Sequence, residues 1–168
     1  SVLLLLCVVL CGLASMNFMT APSVSLEGKS IWLLQSLPVE PWRIFRAKIS
    51  MQLLLTGLPL LLCVMCTVTV YSMYSLQLLM ILLFGGSYVF LMALIGLFLG
   101  VKMPTLTWTN EIMPIKQGGA VIITLLCGFV YMILLFAGFM LLPGWRLGFC
   151  RYMICFVGAN LFLSGWIY

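Results

Sequence analysis

The stretch LQLLMILLFGGSYVFLMALIGLFLG, residues 76–100, decides the fold because it runs for 25 residues without a charged side chain. About 20 apolar residues in an α-helix cross a hydrocarbon core about 30 Å thick. This stretch is therefore predicted to cross a membrane as one helix.

Four similar runs flank this stretch, and none of the five contains a charged residue. The predicted spans are 2–19, 51–70, 76–100, 120–142 and 152–168. All five are expected to be helices, because an isolated strand leaves its backbone N–H and C=O groups unpaired in lipid. The sequence predicts an all-α fold, a polytopic transmembrane bundle in which 1–168 form a single transmembrane domain.

The first span starts at once after Ser1, with no basic residue ahead of it. A cleaved signal peptide has a basic segment at that place. We therefore expect the sequence to be a piece of a larger membrane protein.

Composition excludes several classes of chemistry. Hydrophobic residues make up 65% of the chain, and neither His nor Asp occurs. His-built metal sites, a Ser-His-Asp triad and Asp-held magnesium are therefore excluded within this chain, and no glycine-rich phosphate loop is present. We expect no catalytic residue, no metal site and no cofactor on this chain, and we expect ATP and Mg²⁺, if used, to be bound by a partner subunit.

The basic residues predict the orientation, because short loops rich in Lys and Arg stay in the cytoplasm. The connections 20–50 and 101–119 hold six bases, whereas the opposite side holds two, Arg146 and Arg151. The N-terminus is therefore predicted outside and the C-terminus in the cytoplasm. The same anchoring explains the net charge of +5, so we expect no nucleic-acid partner.

The first cytoplasmic connection has the pattern of two short helices. Ser23 or Ser25 can cap a helix that has Glu27 in its first turn, and Pro38 ends it. Pro41 is a favoured first residue for the next helix, which leads into the second span. Such a helix either rests on lipid headgroups or binds a protein partner; its mixed charges favour a partner.

Two features inside the spans predict contacts between helices. Gly96 and Gly100 form a G-x-x-x-G, which favours close helix packing. Pro59 frees a carbonyl near Leu55, and either a neighbouring helix satisfies that carbonyl or the carbonyl lines a pathway.

Few polar side chains interrupt the apolar runs, and each is expected to hydrogen bond to backbone or to an adjacent helix, a contribution of about 1 kcal/mol. They are Asn17, Gln52, Thr56, Thr67, Thr69, Gln77, Ser87 and Asn160. A weaker hypothesis places Gln77 and Asn160 on an export pathway for a hydrophobic or amphipathic cargo.

Both cytoplasmic loops resemble one family. SLEGKSIWLLQSLPVEP, residues 25–41, resembles the loop S-[RK]-E-G-[KR]-x-[FW]-x-L-[KL]-x-L-P-[VI]-[ST]-P of bacterial ABC exporter permeases of the second class. PTLTWTNEIMPIKQ, residues 104–117, is similar to their later loop, P-x-x-x-W-x-N-E-x-x-x-I-K-Q. The sequence departs from the first pattern at Leu26, Gln35 and Glu40, which affects the charges of any partner contact.

The resemblance implies a permease subunit in the bacterial plasma membrane, paired with a second permease subunit that is identical or different. Its first loop would act as a coupling helix docked in a groove of a separate ABC ATPase subunit, which holds ATP and Mg²⁺. Carried over by position, the ATPase-binding residues are Glu27, Gly28, Lys29, Trp32, Leu37 and Pro38, with the basic Arg43 and Arg46 following them. The later loop contributes Trp108, Asn110, Glu111, Lys116 and Gln117.

The uncharged spans favour an energy source outside the bilayer, because ion-coupled transporters usually keep ionisable groups inside their spans.

Two other interpretations of the function stay open. Cys63 and Cys66 form a C-x-x-C that is typical of thiol-disulfide oxidoreductases, although no charged residue lies within ten positions to activate a thiol. The chain could also be a non-transporting docking or immunity subunit that uses the same loops.

Overall fold

A computed structural model describes residues 2–17, 19–29, 36, 38, 40–70, 75–104, 118–141 and 148–167. Its helices are α1 (Val2–Met16), α2 (Thr20–Leu26), α3 (Pro41–Val70), α4 (Ser75–Lys102), α5 (Gly119–Leu141) and α6 (Phe149–Ile167). A 3₁₀ turn, Glu27–Lys29, follows α2. Every regular element in the described ranges is helical, so the predicted all-α fold is confirmed.

Among the described residues, five helical stretches are long and apolar enough to cross a membrane. The stretch Leu5–Leu26 combines α1 and α2, and each of α3 to α6 contains one further stretch. Their number and composition identify a multi-pass membrane protein. Large apolar side chains cover much of the bundle's outer surface, as with Leu54 of α3 and Phe162 of α6, which is expected where the surrounding solvent is lipid.

Helices α3 and α4, which follow one another in the chain, run in opposite directions. Ile49 near the start of α3 packs in one cluster with Leu94 near the end of α4, and Leu60 further along α3 faces Gly85 earlier on α4. These two contacts make α3 and α4 antiparallel.

The last helix returns to the same end of the bundle as α4. Ile167 joins the cluster around Leu94, while Asn160 contacts Ser87 nearer the middle of α4. The end of α6 therefore lies beside the end of α4 and the start of α3. This end carries Arg43, Arg46, Lys48 and Lys102, which the sequence predicts to be cytoplasmic; which side of a membrane it faces stays a prediction.

The start of the first connection differs from the prediction. Ser23 and Ser25 do not cap a new helix: both lie inside α2, which has no side-chain cap. The Ser23 hydroxyl donates to the Thr20 carbonyl one turn earlier. The reason is that the first span continues past the break between α1 and α2, so its last turns already occupy this segment. Most of the predicted helix beyond the 3₁₀ turn, 30–35, 37 and 39, lies outside the described residues.

The second helix of the connection is fused to its span. Helix α3 begins at Pro41, as the sequence predicts, and continues without interruption to Val70. Pro59 lies inside it. The loop is therefore joined directly to a 30-residue helix rather than to a separate short one.

Helix α2 packs against the G-x-x-x-G of α4, Gly96 and Gly100. A Cβ at Gly96 would stand 2.5 Å from the Thr20 hydroxyl oxygen, and one at Gly100 would stand 2.7 Å from the Ala21 carbonyl oxygen. Both Thr20 and Ala21 are buried. The predicted close packing at these glycines is confirmed, and α2 can approach α4 this closely only because neither glycine has a side chain.

Gly100→Ala is expected to lower the free energy of unfolding by about 1–3 kcal/mol, because the new methyl group overlaps the backbone of α2. Gly86→Ala on the same helix is the matched control, since a Cβ there meets no atom within 4 Å. Unfolding of the intact protein by SDS in mixed micelles measures both changes. Equal midpoints for the two variants would contradict this packing.

Candidate functional site

The break between α1 and α2 is held by one side chain of α3. The Gln52 Oε1 accepts hydrogen bonds from the backbone N–H groups of Met19, at 2.7 Å, and Thr20, at 3.2 Å. Its Nε2 donates to the Asn17 carbonyl. Only 3% of Gln52 is exposed. Because helix ends leave backbone groups without intrahelical partners, Gln52 replaces the partners that the break removes.

A second amide satisfies the carbonyl that Pro59 frees. The Asn17 Nδ2 lies 3.5 Å from the Leu55 carbonyl oxygen and donates to the Thr56 hydroxyl at 3.1 Å. Proline has no N–H to bond the carbonyl four residues earlier. Of the two alternatives for this carbonyl, satisfaction by a neighbouring helix is therefore the one observed, through a long and weak bond.

A cavity of about 260 Å³ adjoins these groups between α1 and α3. Its walls are apolar apart from Asn17, Thr56 and the thiol of Cys63. Since Pro59 also lines it, the cavity lies where the α3 backbone cannot form its regular hydrogen bond.

An ion pair ties the start of the loop to α3. The Lys48 Nζ donates to the Glu27 Oε2 at 2.6 Å, and the two side chains are 12% and 36% exposed. Glu27 begins the 3₁₀ turn that follows α2. The segment after the break is thus held from two sides, by the glycines of α4 and by Gln52 and Lys48 of α3.

The predicted ATPase-binding residues are distributed unevenly. Pro38, Arg43 and Arg46 are exposed, and Gly28 is partly exposed. Glu27 is partly exposed and already paired with Lys48. For Lys29 the backbone alone is described, in the 3₁₀ turn. Trp32, Leu37 and the later-loop residues Trp108, Asn110, Glu111, Lys116 and Gln117 lie outside the described residues, so their roles stay predictions.

A second polar cluster connects α4, α5 and α6. The Tyr131 hydroxyl donates to the Asn160 Oδ1 at 2.8 Å, and the Asn160 Nδ2 donates to the Ser87 hydroxyl at 3.3 Å. Asn160 is 1% exposed. The expectation that Asn160 bonds to adjacent helices is confirmed, which favours a packing role over a place on a pathway.

The Tyr88 hydroxyl lies beside this cluster, close to Ser15 of α1. It is buried and makes no hydrogen bond of good geometry within the described part of the chain. The ring of Tyr88 packs against that of Tyr131, with centroids 4.8 Å apart. Packing rather than hydrogen bonding therefore holds this side chain.

The cysteines give no geometric support to a thiol site. All seven lie in described residues and are free thiols. Cys63 faces the cavity between α1 and α3, whereas Cys66 is exposed on the outside of the bundle. Within the described ranges no group of three potential ligands could hold a metal ion.

The role of Gln52 is not among the predicted site residues. A usable signal was present, because Gln52 and Thr56 are four residues apart and therefore share one face of a helix that is otherwise apolar. What the sequence does not reveal is that the first span breaks opposite this face.

Comparisons with protein-family models, with curated proteins and with solved structures found no match for this chain. The functional proposal therefore depends on the residues and their geometry.

Gln52→Leu is expected to destabilise the protein by about 1–3 kcal/mol for each backbone group left unpaired at the break. The Met19 and Thr20 amides should also exchange with deuterium faster. Gln77→Leu makes the same chemical change in a partly buried position near the start of α4 and serves as the control. Hydrogen exchange with mass spectrometry on the intact protein tests this, and unchanged exchange at the break in Gln52→Leu would contradict it.

Proposed function

We propose that this chain is the membrane-spanning permease subunit of a bacterial ATP-driven exporter. A separate ATPase subunit would bind the loop between α2 and α3 and would hydrolyse ATP in its own site. A second permease subunit would complete the transporter. In this proposal the loop is cytoplasmic, the N-terminus of the chain is outside and the C-terminus is inside.

One observation supports the proposal most: the loop starts from a segment that is fixed to two long helices at once. Helix α2 is seated on Gly96 and Gly100 of α4, and the 3₁₀ turn is ion-paired to Lys48 of α3. The other end of the loop continues directly into α3 at Pro41. A displacement of the loop is therefore passed to α3 and α4 together, as a mechanical coupling of ATPase and permease requires.

The break between α1 and α2 provides a place where the bundle can change shape. The break is stabilised by side-chain hydrogen bonds from Gln52, each worth about 1 kcal/mol, instead of a continuous helical backbone. When the ATPase subunits close on ATP and move the loop, α2 moves with α4 while α1 can change its angle at the break. Such hinge motion between two packed states is a common form of switching.

Affinity purification of the intact permease in mild detergent, with mass spectrometry of the proteins that accompany it, tests the proposal. We expect an ATPase with a phosphate-binding loop to accompany the wild type and to be lost with Trp32→Ala. Arg151→Gln, which removes an exposed base at the start of α6, is the control and should retain the ATPase. Absence of any ATPase from the wild-type sample would contradict the proposal.

A second variant tests whether Glu27 contacts the ATPase. Glu27→Lys alone is not sufficient, because it breaks the internal contact with Lys48 as well as any contact with a partner. The exchange Glu27→Lys with Lys48→Glu restores the internal pair. We expect the exchanged protein to unfold at the wild-type SDS concentration but still to lose the ATPase, because the partner needs the carboxylate at position 27. Recovery of the ATPase by the exchange would show that Glu27 acts only through Lys48.

A further inference from the structure

A groove of about 570 Å³ runs along the side of the bundle between α3, α4 and α6. Ile49 and Leu53 of α3, Phe90 of α4 and Leu161 of α6 give it apolar walls. A smaller cavity of about 190 Å³ adjoins it and shares Arg46 and Ile49 with it. The two together form one apolar depression that has a single charged residue.

Arg46 lies where the groove and the smaller cavity meet, at the end of the groove nearest the start of α3. Arg46, Ile49, Ser50 and Leu53 follow one another at helical spacing on a single face of α3, so the base lies one turn before the apolar wall begins. Trp42, one turn earlier, lines the smaller cavity. A cation and an aromatic ring above an apolar slot match a ligand with a polar head and a hydrocarbon tail.

The charges around Arg46 favour an anionic head. The described residues contain two carboxylates, Glu27 and Glu40, and each is close to another base. Lys48 is 2.6 Å from Glu27, and Arg43 is 3.7 Å from Glu40. Arg46 has no ion-pair partner in the described part of the chain. Its guanidinium can therefore bind a phosphate, through two parallel hydrogen bonds.

From these features we propose that the groove binds an anionic phospholipid, with its phosphate on Arg46 and an acyl chain against Ile49, Leu53 and Phe90. The groove opens to the side of a membrane helix bundle, where acyl chains are the surrounding solvent, and basic pockets between membrane helices are known to bind lipid head groups. This site does not depend on the exporter proposal.

Native mass spectrometry of the intact protein tests the head-group preference. The protein is incubated with equal amounts of phosphatidylglycerol and phosphatidylcholine carrying the same acyl chains. We expect the wild type to retain phosphatidylglycerol preferentially and Arg46→Gln to retain about tenfold less of it, the loss expected for one charge-assisted hydrogen-bonded contact. Arg43→Gln, three residues away and paired with Glu40, is the control and should bind like the wild type.

A second pair of variants tests the groove itself. A Cβ at Gly165 meets no atom within 4 Å, and Gly165 lines the groove, so Gly165→Leu should fill the slot without disturbing the fold. Gly158→Leu on the same helix, also free of nearby atoms, is its control. We expect Gly165→Leu to abolish the retained phosphatidylglycerol and Gly158→Leu to preserve it.

Three results would overturn this proposal. The first is equal retention of the two lipids by the wild type, and the second is equal loss with Arg43→Gln and Arg46→Gln. The third is a lipid-free dimer that Gly165→Leu separates into monomers, because the groove would then be an interface between two copies of the chain.

Discussion

An unpaired backbone N–H or C=O in hydrocarbon costs several kcal/mol, and the break between α1 and α2 creates such groups. The side-chain amide of Gln52 forms hydrogen bonds to these groups: it accepts from two N–H groups and donates to a carbonyl. A side-chain amide suits this position because it is both a donor and an acceptor, as the missing helical turn would have been. This side chain therefore helps to set the direction of α2, and with it the start of the loop.

The same constraint explains why the neighbouring contacts are so close. Once α2 leaves the axis of α1, it must still bury its surface, and it does so where Gly96 and Gly100 of α4 allow backbone-to-backbone approach. The ion pair of Glu27 with Lys48 also joins the turn after α2 to α3. Amide, glycines and ion pair lie within one layer at the same end of the bundle, so the segment before the loop is among its most firmly attached parts.

Length and composition were sufficient to predict the helices, since an uncharged run such as 76–100 leaves no alternative to a membrane helix. The G-x-x-x-G packing was also predictable, because small residues at that spacing have one main use in membranes. The break between α1 and α2 was not predictable. The polar residues beside it, Asn17 and Thr20, do not by themselves indicate a break, because it is stabilised by Gln52, more than 30 positions later in the chain. Because the break was not predicted, Ser23 and Ser25 were expected to start a new helix. In the structure both lie inside α2, the helix that follows the break.

Helix α3 has 30 residues, which at 1.5 Å per residue gives a rod about 45 Å long. A hydrocarbon core about 30 Å thick accommodates only part of that length unless the helix tilts. The excess, about 15 Å, corresponds to the ten residues from Pro41 to Ser50, where the bases of this helix are found. These residues form a helical stalk that extends past the hydrocarbon core and carries Pro38 with it. The height of that stalk is set by bilayer thickness, so a thicker membrane would draw the loop closer to its surface and a thinner one would extend it.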